Sequence, residues 1–500
     1  VTAEEMRAID RRALEAGVPV AELMENAGGA VFEKAAEVLE YPEGRRVVVV
    51  CGKGNNGGDG LVAARLLSNW GAEVEVLLTA GEAELEGAVR ENWRLLQGTR
   101  ASLTVSAGAS EVEAAGAEAD LIIDALLGTG IKGEVRGESA KLIDRMNAAG
   151  AQLLAVDIPS GIEADSGQVA GVAVEADYTV SMGLPKWGLL LFPGAEYAGE
   201  VEVADIGFPP ELIEAAASGG ETLTDDEAAT LLPERRLQAH KGECGRVLVL
   251  AGSTGYTGAA ALASQAALRA GAGLVILGIP AGLNQTMETK VTEVITRPLP
   301  ETAAGSLSVK AYESIMELAE DSDVVIIGPG LSLEAETVSL VQRLARELKP
   351  PMVIDADGLT ALSRDRGVLE GAHAPMILTP HPGEAARLAA TGVQAVEADR
   401  VGTVRRLASL FSANVVLKGA GTLIANPEGR LCINRTGNPG LASAGTGDVL
   451  TGAIGGLLAQ GMEPFEAAAV GVYIHGMAGD LAADVQGERG LMAGDVLEFL

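Results

Sequence analysis

The sequence predicts an α/β protein of two domains, each built on a parallel sheet with helices on both faces. Three observations carry this. Short β-branched apolar runs alternate with stretches of helical spacing, the rhythm of strand–helix–strand units. Glycine-rich polar runs follow the ends of those apolar runs, where open α/β sheets bind their ligands. The rhythm also breaks once, at the small-residue stretch of residues 215–220, and then restarts.

The first elements are helical. Met6, Ile9 and Leu14, then Leu23, Met24 and Val31, recur at helical intervals, with Gly17-Val18-Pro19 breaking the run. Val47-Val48-Val49-Val50 reads as a strand buried on both faces, and a helix is expected from about residue 61 to 69. Strands follow at 73–78, 121–124, 153–157 and 178–182. After the break, Thr224 with Glu227 three residues on marks a helix start. The rhythm restarts at Arg246-Val247-Leu248-Val249-Leu250 and continues through 324–327, 352–355, 376–378 and 415–417. The domains are set at 1–215 and 222–500.

The chain has 500 residues, 48% of them hydrophobic and 21% charged, which is globular rather than disordered. With aromatics at 3%, the cores must be aliphatic. A net charge of −32 argues against nucleic acid or an anionic membrane as a partner, since both need a cationic footprint. It leaves phosphate ligands open, because backbone N–H groups and helix N-termini bind anions within acidic proteins. The cysteines, Cys51, Cys244 and Cys432, are far apart and favour a reducing, cytoplasmic setting over a disulfide framework. The opening residues show no signal-peptide pattern, and the longest charge-free stretch, 247–268, is interrupted by Gly252-Ser253-Thr254-Gly255, so no membrane span is expected.

The sharpest motif is Ala444-Gly445-Thr446-Gly447-Asp448, feeding an apolar helix of small residues. A glycine turn at a helix N-terminus can hold a transferring phosphate, and the aspartate can accept a proton from an attacking hydroxyl. Taken alone, the Gly-Asp pair reads more readily as a capped helix packed tightly through its glycines. Other strand-end runs shift the balance: Lys418-Gly419-Ala420-Gly421-Thr422, Thr379-Pro380-His381-Pro382-Gly383-Glu384, Asp355-Ala356-Asp357-Gly358 and Gly328-Pro329-Gly330. His381 reads either as a loop cap or as a ligand. Asp355 and Asp357 either hold metal-bound water or fix their turn.

Together with Gly252-Ser253-Thr254-Gly255-Tyr256-Thr257-Gly258-Ala259, these runs resemble the ribokinase-like fold and, more narrowly, the ADP/ATP-dependent NAD(P)H-hydrate dehydratases, from about Leu223 onward. The resemblance implies Asp448 as catalytic base and Gly258, Ala259, Gly330, His381 and Asp448 as contacts to the hydrated nicotinamide. It implies Lys418, Gly419, Ala420, Gly421, Thr422 and Gly447 as nucleotide contacts. ADP would be the phosphoryl donor, with Mg²⁺ neutralising its phosphates. Where the family commonly has Gly-Gly-Thr-Gly-Asp, this chain has Ala444 first, and a small effect is expected.

In the first half, Gly52-Lys53-Gly54-Asn55-Asn56-Gly57-Gly58-Asp59-Gly60 is neither a dinucleotide fingerprint nor a Walker A loop. Its asparagines and aspartate imply side-chain ligation; the bland alternative is a Gly/Asn-rich turn. Asp124-Ala125-Leu126-Leu127-Gly128-Thr129-Gly130-Ile131-Lys132-Gly133-Glu134 and Asp157-Ile158-Pro159-Ser160-Gly161 end two further strands, and such oxygen-rich groups suit a hard cation. These runs, with Leu23-Met24-Glu25-Asn26-Ala27-Gly28, resemble the Rossmann-like three-layer NAD(P)H-hydrate epimerase domain, the YjeF N-terminal family, over about residues 2–207. The resemblance implies that Asn55, Asn56, Gly57, Gly58, Asp59, Gly128, Thr129, Gly130, Ile131, Lys132, Gly133, Glu134 and Asp157 bind the hydrate. It further implies that Asn56, Asp124 and Ser160 hold K⁺. Asp157 and Lys132 are the candidates for proton transfer.

The two resemblances together imply a bifunctional nicotinamide-nucleotide repair enzyme acting on the NADH and NADPH hydrates, with a homo-oligomer expected from the family. One rival is a ribokinase-like kinase of small-molecule hydroxyls with an accessory domain, which leaves the N-terminal loops unexplained. Another is a non-enzymatic binding module in the first half.

Overall fold

The computed structural model describes residues 1–131, 133–216, 219–369, 372 and 374–500, in two units, Val1–Gly219 and Gly220–Leu500. Lys132 lies outside the described residues.

The first unit holds a sheet of seven strands: β1 (Arg46–Cys51), β2 (Glu73–Leu78), β3 (Ser102–Val105), β4 (Leu121–Ala125), β5 (Gln152–Val156), β6 (Tyr178–Met182) and β7 (Glu200–Ala204). Their order is β3-β2-β1-β4-β5-β6-β7, parallel throughout. Alternate residues of one strand enter different cores. Val47, Val49 and Cys51 pack with the helices Val20–Val38 and Asn55–Asn69, whereas Val48 and Val50 pack with the helix Glu138–Ala148. That split is why the run is β-branched on both faces and why the unit has three layers.

The helix after β1 begins at Asn55, not near residue 61, so the polar run Asn55–Gly60 forms its first turns. Its glycines permit close approach. A Cβ on Gly57 would lie 1.9 Å from the Gly52 carbonyl oxygen, one on Gly58 2.6 Å from Met24 and one on Gly60 2.5 Å from the Ala125 Cβ. Asn and Gly weaken a helix start in isolation, and packing onto β1, β4 and the helix Val20–Val38 outweighs that propensity.

The second unit holds β8 (Arg246–Leu250), β9 (Leu274–Pro280), β10 (Ile295–Leu299), β11 (Val324–Ile327), β12 (Met352–Ile354), β13 (Met376–Leu378), β14 (Asn414–Leu417), β15 (Leu423–Ala425) and β16 (Leu431–Ile433). The order is β10-β9-β8-β11-β12-β13-β14-β15-β16. From β10 to β14 the strands are parallel, but β15 and β16 run antiparallel. The expected all-parallel sheet is thus mixed. The run 418–422 is too short for a crossover helix, so it turns the chain straight back as a hairpin.

The helix Thr446–Ala459 packs on Thr257–Arg269 at backbone distance. Added Cβ atoms on Gly452 and Gly456 would lie 2.2 and 2.4 Å from the carbonyl oxygens of Ala263 and Ala267. Its glycines therefore serve packing, while its N-terminus stays at the strand ends. Thr224 caps the helix Asp225–Leu231 through a reciprocal pair with Glu227.

Candidate active sites

In each sheet the order of strands reverses between two central neighbours, β1/β4 and β8/β11, where open α/β sheets offer a ligand crevice at the strand ends. In the first unit the crevice is a cleft of about 780 Å³. Asn55, Asn56, Asp59, Gly128, Thr129, Gly130, Ile131 and Asp157 line it, as do Asp10, Met24 and Lys186. Gly133 and Glu134 stand exposed outside this lining, with Glu134 ion-paired to Arg136. Gly57 and Gly58 are buried in the packing described above.

Asp157 follows β5 with φ +67, a conformation few non-glycine residues hold without support. The support is visible. Its amide donates to the Val180 carbonyl, and its Oδ1 accepts from the Met182 amide at 3.0 Å and from the ammonium of Lys186. Lys186 is fully buried and also donates to the Met182 carbonyl at 2.9 Å and to Ser181 Oγ at 3.3 Å. Sequence reasoning missed this lysine. Its only signal was one cation, between Pro185 and Trp187, just after a buried strand.

Asp59 is also buried, and its carboxyl is pushed well above the usual range by burial first and then by the charges of Asp157 and Asp10. Asp124 is fully buried, and burial raises it to about 6 against hydrogen bonds that favour its anion. Those bonds come from the Ser160 hydroxyl at 2.7 Å, the Ser160 amide at 2.8 Å and the Leu126 amide at 3.1 Å. Asn56 joins this group from the helix side: its Nδ2 donates to the Leu127 carbonyl, which also accepts from Ser160 Oγ. Asn56 Oδ1 is buried without a hydrogen-bond partner among the described residues.

In the second unit the loops after β8 and β11 are tied together by the Gly252 amide on Pro329 and by Ser253 Oγ on Gly330, at 2.8 Å each. Gly330 has φ +62, and a Cβ there would lie 2.7 Å from Tyr256 Cβ and 3.3 Å from Ala259 Cβ. Gly258 faces open space.

At the next strand ends, Lys418 binds Asp355 Oδ1 at 2.7 Å, and Thr451 donates to Asp355 Oδ2 at 2.7 Å. Asp355 is therefore an anchor for the lysine, and Asp357 fixes its turn by accepting from the Ser332 amide at 2.8 Å. Lys418 reaches the glycine turn, its Nζ 3.5 Å from where a Gly447 Cβ would stand. Burial would lower the lysine's pKa, but Asp355 and Glu384 outweigh it, and the net shift is upward. The turn itself is braced by Thr446 Oγ1 on the carbonyls of Leu441 and Ser443, and by the buried His475 Nε2 on the Thr446 carbonyl. Asp448, in the first helical turn, is raised to about 7 by burial, then by Asp355, with Lys418 opposing.

His381 caps the helix Pro382–Ala389. Its Nδ1 accepts from the Gly383 amide, while Glu384 Oε2 accepts from the His381 amide. Burial and Lys418 lower its pKa, and burial raises buried Glu384 to about 7. The cap reading of His381 holds, and its half-exposed ring still borders the site. Lys418 to Thr422 form the β14–β15 turn, with Gly419 and Gly421 at positive φ and Thr422 Oγ1 on the Gly419 carbonyl. Beneath it, buried Arg400 reaches the carbonyls of Leu417 and Gly421 at 3.4 Å each.

Fold and sites together define a two-domain α/β enzyme with one carboxylate-lined cleft and one glycine turn that opens a helix beside a lysine. The family model described as the N-terminus of YjeF-related proteins matches residues 20–188, and that described as NAD(P)H-hydrate dehydratase matches 247–500. A bifunctional NAD(P)H-hydrate repair enzyme of Moorella thermoacetica is 47% identical, over 100% of this chain and 95% of its own. One of Thermofilum pendens is 44% identical, over 99% and 94%. An ADP/ATP-dependent NAD(P)H-hydrate dehydratase structure from Bacillus subtilis, co-crystallised with ATP and Mg²⁺, aligns at 30% identity and a TM-score of 0.47, covering 57% of this chain and 97% of that one. The chain belongs to the family of bifunctional NAD(P)H-hydrate repair enzymes. Among the described residues, no helix is long and apolar enough to cross a membrane.

Proposed function

We propose that the first unit interconverts the R and S forms of NADH and NADPH hydrate, and that the second dehydrates the S form at the expense of ADP, giving AMP and phosphate. The observation that carries the second activity is Asp448: a carboxylate raised to about 7, in the first turn of a helix whose glycine turn is braced open beside Lys418. A base acts best when its pKa sits near the working pH. Ionised Asp448 takes the proton of the substrate's hydroxyl as that oxygen attacks the donor's terminal phosphorus. The N–H groups of residues 445–447 at the helix N-terminus and the Lys418 ammonium stabilise charge on the moving phosphoryl group. Loss of phosphate and of a proton from the adjacent carbon then restores the ring double bond.

Lys418 through Thr422 cradle the nucleotide, and Gly258, Ala259, Gly330 and His381 face the nicotinamide. Mg²⁺ enters with the nucleotide, since this ion prefers phosphate oxygens and water to an all-protein cage. In the first unit the buried, unpartnered Asn56 Oδ1, with Asp124 and Ser160 close by, suits a weakly hydrated K⁺, which would neutralise the buried carboxylate. Asp157 is the proton-transfer group of that cleft.

The test is to supply mixed R and S NADH hydrate with ADP and Mg²⁺ and follow NADH absorbance. Complete conversion, faster than spontaneous epimerisation allows, is the expected result. Conversion of S alone sinks the epimerase half, and absence of NADH with either ADP or ATP sinks the dehydratase half.

A further inference from the structure

Hydration of an enamine puts the hydroxyl on the carbon bonded to nitrogen, so the two forms of the hydrate differ at a carbinolamine carbon. Inverting that carbon requires breaking one of its bonds, and acid/base help is needed on both sides of it. The N-terminal cleft offers two carboxyl groups in unlike settings. Asp157 has Oδ1 occupied by the Lys186 ammonium and the Met182 amide. Its Oδ2 has no hydrogen bond to the described residues and belongs to a side chain 17% exposed in the cleft wall. Asp59 projects from the helix Asn55–Asn69, is 9% exposed, lines the same cleft and makes no hydrogen bond to the described residues. The charged groups around them are Asp10 and Lys186, with Arg7, Lys53 and Glu84 also in the lining. The buried ammonium fixes one oxygen of Asp157 and leaves the other to the cleft, whereas a buried carboxyl facing other carboxylates keeps its proton.

Resting on the epimerase reading of this cleft, we propose that Asp157 and Asp59 are its base and acid, and that Lys186 is the positioning residue that makes Asp157 the base. Asp157 Oδ2 removes the hydroxyl proton and the carbon–oxygen bond becomes a carbonyl. The ring carbon–nitrogen bond breaks with its electron pair passing to nitrogen, which takes the proton of Asp59. The product is an open-chain aldehyde, with Asp157 protonated and Asp59 ionised. Rotation about the adjacent carbon–carbon bond presents the other carbonyl face. On closure nitrogen attacks that face and returns its proton to Asp59, while the oxygen recovers its proton from Asp157. No atom or electron is gained or lost over the cycle. Lys186 touches neither substrate nor proton; it fixes Oδ1, so the reactive oxygen and its orientation are set in advance.

The test uses the full chain and the R form of NADH hydrate, with epimerisation followed by proton NMR across pH. Asp157→Asn and Asp59→Asn each lower kcat by about 10²-fold or more with KM little changed, as expected for general acid–base groups. Asp59→Asn also removes the alkaline limb of the profile. Lys186→Met lowers kcat by about tenfold with KM little changed, because Oδ1 of Asp157 is no longer fixed; a packing role alone would lower Tm and leave kcat in place. Dehydration of the S form, read on the same samples, stays at the wild-type rate. An alkaline limb retained in Asp59→Asn, or an unchanged kcat in a Lys186→Met protein that melts like wild type, overturns the assignment. If Lys186→Met does not fold, the nearly isosteric Asp59→Asn decides alone. Wild-type protein that leaves the R form at its spontaneous rate overturns the epimerase reading and the assignment with it.

Discussion

The two sites use the same parts in opposite order. Each has a buried or mostly buried lysine bound to one aspartate, Lys186 to Asp157 and Lys418 to Asp355, and each has a second carboxyl raised by burial, Asp59 and Asp448. In the second unit the lysine-bound Asp355 is closed off by Thr451, and Asp448 is the carboxyl proposed to meet the ligand. In the first unit the lysine-bound Asp157 keeps one oxygen open to the cleft. The location of the lysine thus decides which carboxylate oxygen is fixed and which is left open. The proposed roles match the difference in burial: Lys418, proposed to meet phosphate, retains 19% exposure, and Lys186, proposed only to position Asp157, is fully buried.

That contrast can be broken in order of effect. Asp448→Asn is expected to cut dehydration by about 10²–10⁴-fold while epimerisation is unchanged, measured on separated R and S substrates. The pH profile comes next. Asp448 is raised to about 7, so below pH 7 it is protonated and cannot accept the hydroxyl proton. Dehydratase kcat/KM then falls about tenfold per pH unit, roughly 10²-fold by pH 5. A carboxylate near the ordinary value of about 4 would hold its rate to that pH. Lys418→Met leaves Asp355 buried without its cation and is expected to cost about 3 kcal/mol, the low end for broken buried pairs because the lysine is partly exposed; denaturant unfolding of the second unit's transition reads it. Gly452→Ala forces a methyl to 2.2 Å from the Ala263 carbonyl and should cost about 2 kcal/mol, lowering Tm and loosening the Asp448 helix. Thr224→Ala removes a cap far from the chemistry and should cost about 1 kcal/mol, with both activities intact.

Much of the fold was legible because parallel strands buried on both faces announce themselves as β-branched runs, as at Val47–Val50 and Val324–Ile327. The edge strands were not: Ser102–Val105 and Glu200–Ala204 are partly exposed and carry polar residues, so they lack the apolar run. The antiparallel β15 and β16 are three residues each, too short to show a period. The start of the Asn55 helix was hidden because glycine and asparagine read as a turn, and only packing against residues distant in sequence explains them. For the sites, motif runs pointed to the strand ends, but Lys186 and Thr451 lie outside any motif. Their roles depend on pairings across 29 and 96 residues of sequence, which no local pattern records.

The most direct measurement is the NADH absorbance trace of Asp157→Asn with an equal mixture of R and S hydrate, ADP and Mg²⁺. Two separate sites in one chain predict a fast phase that consumes the S half at the wild-type rate, followed by a slow phase set by spontaneous epimerisation. A single fast phase running to completion would contradict the placement of epimerisation at Asp157, and loss of the fast phase would contradict the independence of the two sites.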